Sequence, residues 1–304
     1  MGGACCAGTR DKITYGRERG SEMCGIMQEN VKSKMQNARM GILSAKKRAK
    51  ERFNVTKLKA RGYSQIYCDV VDDSDFGFLT RFEADNYQIC KVTMDSFERI
   101  LKEFQEKEET NIMSKHQIVE AFKNRKYLIE IENEYSLSYV LLTHPLFQKD
   151  PDSIYIPYLQ LLSILYCAST LKMKAIAFYQ MVKVENTNRI PRNDPYLVEY
   201  IKKLLEISWV LAVDMYEEFN EDDTPQSTSE FSIEDQEFIF KQLYAEFIDQ
   251  LFVRDEKLAE EVFCHRFERE LQSKYLQPYE LRNIIDIHRK TLQESKQKKA
   301  QARQ

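Results

Sequence analysis

The residues with the clearest chemical potential stand at the start of the chain. Gly2 becomes an N-terminal glycine once the initiator methionine is removed, and such a glycine can accept a myristoyl chain. Cys5 and Cys6 follow closely and could accept palmitate, while four basic side chains lie within residues 10–19. Because one acyl chain binds membranes only reversibly and two signals anchor stably, this pattern predicts a membrane-anchoring site. The usual motif has Ser or Thr where this chain has Cys6, so an unmodified leader is the alternative.

No combination of side chains predicts catalysis. The chain has four histidines, and none lies in a Ser/His/Asp or Cys/His arrangement. The sequence also lacks a Gly-rich phosphate-binding loop and an HExxH zinc motif. Paired carboxylates such as Glu130 and Glu132 stand in strongly charged stretches, which are typical of a solvated face. The sequence therefore favours a non-enzymatic protein with no catalytic residues.

The composition indicates a helical globular protein with an uneven distribution of charge. The 304 residues are 43% hydrophobic, which is enough for a sizeable core, and the 9 Gly and 7 Pro favour helices over turn-rich sheets. Residues 1–61 carry 15 Lys or Arg and 5 Asp or Glu, a net charge of +10, whereas residues 62–304 carry 30 and 43, a net charge of -13. A basic arm on an acidic body suits an anionic membrane surface or an acidic protein partner. Nucleic acid is not an expected partner, because aromatic residues are not interleaved with the basic ones.

The cysteines indicate a reducing, cytosolic context. Seven are present, and they form no CxxC pair. Cys167 and Cys264 are predicted to be buried thiols. The start of the chain lacks the apolar region of a secretory signal. Residues 153–171 carry no charge, but proline and polar residues interrupt the run, which therefore predicts a buried core helix and not a membrane span.

Periodicity predicts a basic amphipathic helix early in the chain. Apolar residues from Met27 to Ala45 recur every three or four positions, and basic residues supply much of the remaining surface. We expect residues 25–62 to form a helical arm that lies either in a membrane interface or against the protein body. The residues assigned to this arm are Met27, Val31, Met35, Ile42, Lys46, Lys47 and Arg48.

The rest of the chain is predicted to be mostly helical. Residues 1–24 are predicted to be a disordered leader. Residues 63–92 are predicted to be a β or turn segment, in which the aspartates that cluster around Gly77 form a turn. From Thr93 onward helical spacing dominates, with Thr93 and Ser114 as N-caps. The predicted helical regions are 93–212 and 232–290, separated by an acidic mobile insertion at 213–231 and followed by a basic tail at 291–304.

One stretch resembles a known family. Residues 154–182, IYIPYLQLLSILYCASTLKMKAIAFYQMV, followed by KVENTNRIPRND, resemble the centre of an EF-hand pair. In that family an exiting and an entering helix stand between two twelve-residue loops, each with an aliphatic residue at its eighth position. The sequence is most similar to calcineurin-B-like and neuronal-calcium-sensor-like proteins, many of which carry an acylated N-terminal glycine. The resemblance covers residues 94–270 and implies EF-hand-like helix–loop–helix pairs, with a two-stranded ribbon joining Ile156 and Ile190.

The loops that this resemblance defines lack the oxygen ligands of a calcium site. Such a loop needs oxygens at its first, third and fifth positions, Gly at the sixth and a bidentate Glu at the twelfth. In the loop at 183–194 the first position is Lys183, whose ammonium group would repel the ion, and the other degenerate positions are Glu185, Thr187 and Asp194. The candidate loops at 105–116, 149–160 and 255–266 depart from the pattern as well. We therefore expect no cofactor, and calcium, the one candidate, is not expected to bind.

The same resemblance implies an apolar groove that takes a helix of a protein partner. The candidate groove residues, which are more often simple core residues, are Tyr158, Leu162, Leu165, Tyr166 and Phe178. The prediction is a non-enzymatic EF-hand-like adaptor, lipid-anchored at the cytoplasmic face of a membrane, that binds a partner without calcium. One alternative is a structural EF-hand-like protein of the cytoskeleton or cilium with an unmodified leader. The other is a calcium sensor with unusual ligands.

Overall fold

The computed structural model describes residues 67, 70, 72, 74–124, 128, 130–220 and 231–301. The chain divides into two compact parts, Met1–Thr56 and Lys57–Gln304, and every described residue belongs to the second part. This part is mostly helical with short antiparallel strands, which confirms the predicted mostly-α class. The predicted leader and the basic arm lie outside the described residues.

Helix α1 (Gly77–Asn86) and a 3-10 turn (Gln88–Lys91) precede four segments that share one local plan. In each segment a helix leads through a loop and a short strand into a second helix. The first unit consists of α2 (Met94–Glu108), β1 (Ile112–Ser114) and α3 (Lys115–Phe122). The second unit consists of α4 (Leu137–Thr143), a 3-10 turn (Pro145–Phe147), β2 (Gln148–Asp150), β3 (Ser153–Tyr155) and α5 (Ile156–Tyr166).

The third unit consists of α6 (Leu171–Val182), β4 (Arg189–Pro191) and α7 (Pro195–Glu206). A π-helical segment (Ile207–Leu211) continues α7 into α8 (Ala212–Phe219). The fourth unit consists of α9 (Ile233–Phe252), β5 (Lys257–Ala259) and α10 (Glu260–Phe267). A short helix α11 (Glu270–Ser273), a 3-10 turn (Lys274–Leu276) and the long helix α12 (Pro278–Gln301) complete the described chain.

Side-chain caps explain where many of these helices begin. Thr93 Oγ1 accepts a hydrogen bond from Ser96 N at 3.3 Å, which fixes the start of α2. Ser114 and Gln117 form a reciprocal capping box at the start of α3, with distances of 3.2 and 2.8 Å. The predicted caps at Thr93 and Ser114 are therefore confirmed.

The strands pair the first unit with the second and the third with the fourth. In β1 and β3 Met113 lies opposite Ile154, and in β4 and β5 Ile190 lies opposite Leu258. The predicted ribbon between Ile156 and Ile190 is therefore wrong. The reason is that Ile156 is the first residue of α5 and not a strand residue.

The predicted loop boundaries also need correction. In the first, second and fourth units the residue that follows the strand centre is the N-cap of the exiting helix. Counting from these strand centres as eighth positions gives loops at 106–117, 147–158 and 251–262. In the third loop, predicted at 183–194, Ile190 is the centre of a strand, as the prediction requires.

The predicted β or turn segment at 63–92 contains a helix in its described part. Gly77 begins α1, and a Cβ atom at this position would stand 2.2 Å from the backbone oxygen of Asp72. The Asp72 carboxylate accepts hydrogen bonds from Ser74 N at 3.0 Å and from Thr80 Oγ1 at 2.6 Å. The aspartate therefore builds a turn, as expected, but this turn starts a helix instead of joining two strands.

The uncharged run at 153–171 forms the buried centre of the fold, as predicted. Helix α5 spans most of it, and its residues Leu159, Leu161, Leu162, Ile164 and Leu165 are fully buried. Across the described residues, no helix is both long enough and apolar enough to cross a membrane.

Two predicted boundaries change in the C-terminal half. The acidic insertion was expected from residue 213, but α8 runs to Phe219 because Met215 and Tyr216 are buried on one side of it. Phe231 is buried against Trp209, with ring centroids 5.2 Å apart, so the insertion ends before it. Helix α12 continues to Gln301, so it includes most of the region predicted as a basic tail at 291–304.

Candidate functional site

The loop of the fourth unit is closed by an arginine. Arg266, on the exiting helix α10, donates one hydrogen bond to the backbone oxygen of Leu251 and another to the Asp255 carboxylate. Leu251 belongs to the last turn of α9, where carbonyl groups lack helical partners. The guanidinium group therefore joins the entering helix, the loop and the exiting helix, and its side chain is only 15% exposed.

In the loop of the third unit, the polar side chains do not converge on a common centre. Asp194 is buried, and its Oδ1 accepts from Leu197 N at 2.9 Å as the N-cap of α7. Thr187 Oγ1 donates to Arg189 O at 3.5 Å, while Glu185 is exposed. Lys183 caps the end of α6 through its backbone N–H. The four residues predicted as degenerate loop positions thus lie in one loop, where Lys183, Thr187 and Asp194 form turn and cap hydrogen bonds.

Neutral and cationic groups also close the first two loops. In the first loop Gln105 Nε2 donates to Asn111 Oδ1 at 2.6 Å. In the second, Lys149 Nζ lies 3.8 Å from the ring centroid of Tyr155, within range of a cation–π interaction. Strands β2 and β3 complete this loop as an antiparallel hairpin.

These groups differ from the usual ligands of a divalent cation. Calcium prefers six to eight oxygen ligands, several of them carboxylates. The loops instead contain Lys149, Lys183 and one amide pair, and the Asp255 carboxylate of the fourth loop is already paired with Arg266 of α10. Within the described ranges, no cluster of three or more His, Cys, Asp or Glu side chains could hold a metal ion.

A buried ion pair joins elements that are distant in sequence. Arg282 of α12 and Glu83 of α1 are both inaccessible to solvent, and two guanidinium nitrogens donate to the two carboxylate oxygens at 2.9 and 2.8 Å. Arg282 also donates to Ser208 O, in the π-helical segment, at 3.0 Å and to Thr80 Oγ1 at 2.7 Å. The pair therefore connects α12 to α1 and to the π-helical segment.

Tyrosines complete the surroundings of this pair. Tyr67 donates a hydrogen bond to Glu83, and Tyr166 of α5 donates another at 2.6 Å. Burial raises the pKa of Glu83, whereas Arg282 and Tyr166 lower it. Burial opposes the charge on Arg282, but Glu83 raises the pKa of the guanidinium group. Because the carboxylate accepts hydrogen bonds from several donors, we assign both groups their charged forms at neutral pH.

The predicted groove residues are mostly part of the core. Leu162, Leu165, Tyr166 and Phe178 are fully buried, so they line no open groove in this structure. Tyr158 is half-buried and donates to Glu199 Oε1 at 2.8 Å.

The reason for this burial is that other parts of the chain cover these side chains. Tyr166 packs against Tyr87 with ring centroids 5.3 Å apart and bonds Glu83 of α1. Phe178 of α6 packs against Phe263 and Phe267 of α10, with ring centroids 6.0 and 6.1 Å apart.

Lys174 is a buried cation beside two thiols. Its Nζ donates to Leu165 O at 3.0 Å, near the end of α5. Burial lowers the pKa of Lys174 to about 8, and the buried thiols of Cys167 and Cys90 act in the opposite direction. The prediction that Cys167 and Cys264 are buried thiols is confirmed.

The lowered pKa of Lys174 predicts a pH dependence of stability. Between about pH 8 and the ordinary lysine value of 10.5, the unfolded chain binds more protons at this residue than the folded chain does, so stability rises with pH. We expect Lys174→Met to be more stable than the parent protein near pH 7, and this advantage to shrink by about 3 kcal/mol by pH 11. Urea denaturation of both proteins across this pH range measures the difference in their free energies of unfolding. A difference that does not change with pH would contradict a charged, buried Lys174.

An open cleft lies on the loop side of the fold. We call it the interunit cleft, because the first two units contribute Gln105 and Tyr155 and the third contributes Lys183 and Tyr196. Its volume is about 620 Å³, which is within the usual range of ligand sites. Its full lining is Gln105, Asn111, Tyr155, Pro157, Gln160, Met181, Val182, Lys183, Val184, Glu185, Asn186, Asp194, Pro195, Tyr196 and Tyr200.

Sequence reasoning missed Glu83, Arg282 and Arg266. A signal for Arg282 was available, since it stands on the same helical stripe as the buried residues Leu281 and Ile285. A charged residue on an apolar stripe indicates a buried ion pair. The lipidation residues Gly2, Cys5 and Cys6 lie outside the described residues. So do the arm residues Met27, Val31, Met35, Ile42, Lys46, Lys47 and Arg48.

Comparison of the chain with protein-family models, characterised proteins and solved structures found no match.

Proposed function

We propose that this protein is a non-enzymatic, EF-hand-like adaptor whose paired units keep their shape without calcium and bind a protein partner. The observation that carries the proposal is the closure of the fourth loop by Arg266, which bonds both Leu251 and Asp255. A fixed cation of the protein there takes the role that a metal ion has in a calcium loop. A unit closed in this way needs no ion to hold its two helices.

The EF-hand assignment draws support from strand pairing and helix starts. Two neighbouring units share a short antiparallel ribbon, and in three of the four units the exiting helix begins directly after the strand centre. Helix–loop–helix units of this kind function in pairs that present surfaces to partner proteins. Since the residues point to neither catalysis nor metal binding, binding of a protein partner is the function that they support best.

Calorimetric titration with calcium tests the proposal that the paired units function without calcium. We expect no saturable heat up to about 10⁻³ M calcium, the weakest range of natural EF-hand sites. A saturable heat would contradict the proposal and favour a calcium sensor with unusual ligands. In that case Glu185→Gln is the informative variant, since loss of the heat would place the ion in the third loop.

We further propose that the adaptor is lipid-anchored at the cytoplasmic face of a membrane through Gly2, Cys5 and Cys6. Support comes from the sequence pattern and from the +10 net charge of residues 1–61. Gly2→Ala and the double variant Cys5→Ser/Cys6→Ser should move the protein from the membrane fraction to the soluble fraction. An intact mass without acyl additions would instead favour a structural protein of the cytoskeleton or cilium.

A further inference from the structure

We propose that the interunit cleft binds an extended, proline-containing segment of the partner in the polyproline II conformation. This inference rests on the proposed adaptor function and names the chemistry of the partner that the cleft fits.

The first argument is a row of tyrosines along the cleft. Tyr155, Tyr196 and Tyr200 line the cleft, and the rings of Tyr196 and Tyr200 lie 6.2 Å apart. Tyr196 is 55% exposed, so its ring is available for contact. Proline-rich segments bind in grooves lined by aromatic rings of this kind, because the rings pack against the flat pyrrolidine faces.

The second argument is the supply of hydrogen-bond donors. A polyproline II segment makes no internal hydrogen bonds, so its carbonyl groups need donors from the protein. The cleft is lined by the side-chain amides of Gln160 and Asn186 and by the hydroxyl of Tyr196. These neutral groups donate through N–H and O–H.

The third argument is the balance of charge. Lys183 and Glu185 line the cleft with opposite charges, and Asp194 is buried with one oxygen engaged by the N-terminus of α7. A cleft without a marked excess of either charge complements a neutral segment better than a basic or acidic one. An amphipathic helix is a poorer occupant, because it needs a continuous apolar groove and amides interrupt this lining.

The test uses blocked, fluorescein-labelled decaproline and the full chain in EGTA, followed by fluorescence anisotropy. We expect saturable binding that Tyr196→Ala weakens about tenfold. The matched control is Tyr135→Ala, which removes a ring that is 88% exposed outside the cleft and should leave binding unchanged. Two labelled peptides of equal length serve as comparisons. One forms an amphipathic helix and reports helix binding, and the other consists of Gly and Ser and reports binding of any flexible chain.

Several outcomes would overturn the inference. These are no saturable binding of decaproline, equal binding by the Gly/Ser peptide, tighter binding by the helical peptide, or equal losses in the Tyr196 and Tyr135 variants. Circular dichroism of the Tyr196→Ala protein checks that any loss of binding does not come from a failure to fold. Because the binding experiment is done in EGTA, its outcome does not depend on calcium. A failure of the proposed calcium-independent function is detected separately, by calorimetry with calcium.

Discussion

Replacing Arg282 with Met is expected to lower the free energy of unfolding by about 3–5 kcal/mol. The substitution leaves Glu83 fully buried without the cation that donates to both of its oxygens. It also removes the donors to Ser208 O and Thr80 Oγ1. Chemical denaturation followed by circular dichroism measures the change.

Two further variants separate the buried pair from surface effects. Arg99→Met removes an exposed arginine that lies 3.7 Å from Glu103, and we expect a change within about 0.5 kcal/mol. Combining Arg282→Met with Glu83→Gln should cost less than the sum of the single changes, because the double variant no longer buries an isolated charge. An Arg282→Met protein as stable as the Arg99→Met protein would show that the buried pair does not form.

Replacing Phe178 with Ala is expected to cost about 3–5 kcal/mol. Phe178 is fully buried between α6 and α10, where it contacts the rings of Phe263 and Phe267. The substitution therefore opens a cavity at the interface of the third and fourth units. The same denaturation experiment measures the loss.

The matched control for this prediction is Phe238→Ala, since Phe238 is 49% exposed on α9. We expect a much smaller change there, because surface substitutions away from packed contacts have little effect. A double-mutant cycle between Phe178 and Phe263 should give a coupling energy above about 0.5 kcal/mol. Strictly additive losses would mean that α6 and α10 are not packed together.

Local features of the fold were predictable from the sequence. Helical periodicity and capping residues located α2 and α3, and the uncharged run located the buried helix α5. Helix α1 was missed because its aromatic and β-branched surroundings resemble a strand, while its burial depends on contacts with distant elements. One such contact is the 4.9 Å approach of the rings of Phe78 and Tyr216.

The sequence alone did not determine which strands pair with each other. Each strand has three residues, which is too short for alternation to define a register. The resemblance correctly marked Ile190 as a strand centre, but its partner, Leu258, is separated from it by the intervening α7, π-helical segment, α8 and α9.

The candidate site was even less predictable from the sequence than the strand pairing. Lys183 and Asp194 were recognised because they stand in one loop. Glu83 and Arg282 are 199 residues apart, and neither flanking sequence identifies the other as its partner. Tyr155 and Tyr196 of the interunit cleft come together only because the second and third units lie side by side.

Amide hydrogen exchange of the strand residues, compared in EGTA and in calcium, is the most direct test of closure without metal. The informative amides belong to Met113 and Ile154 in one ribbon and to Ile190 and Leu258 in the other. If the protein's own side chains close the loops, these amides should exchange slowly and at the same rates in both conditions. Rapid exchange in EGTA that becomes slow only after calcium is added would contradict this account.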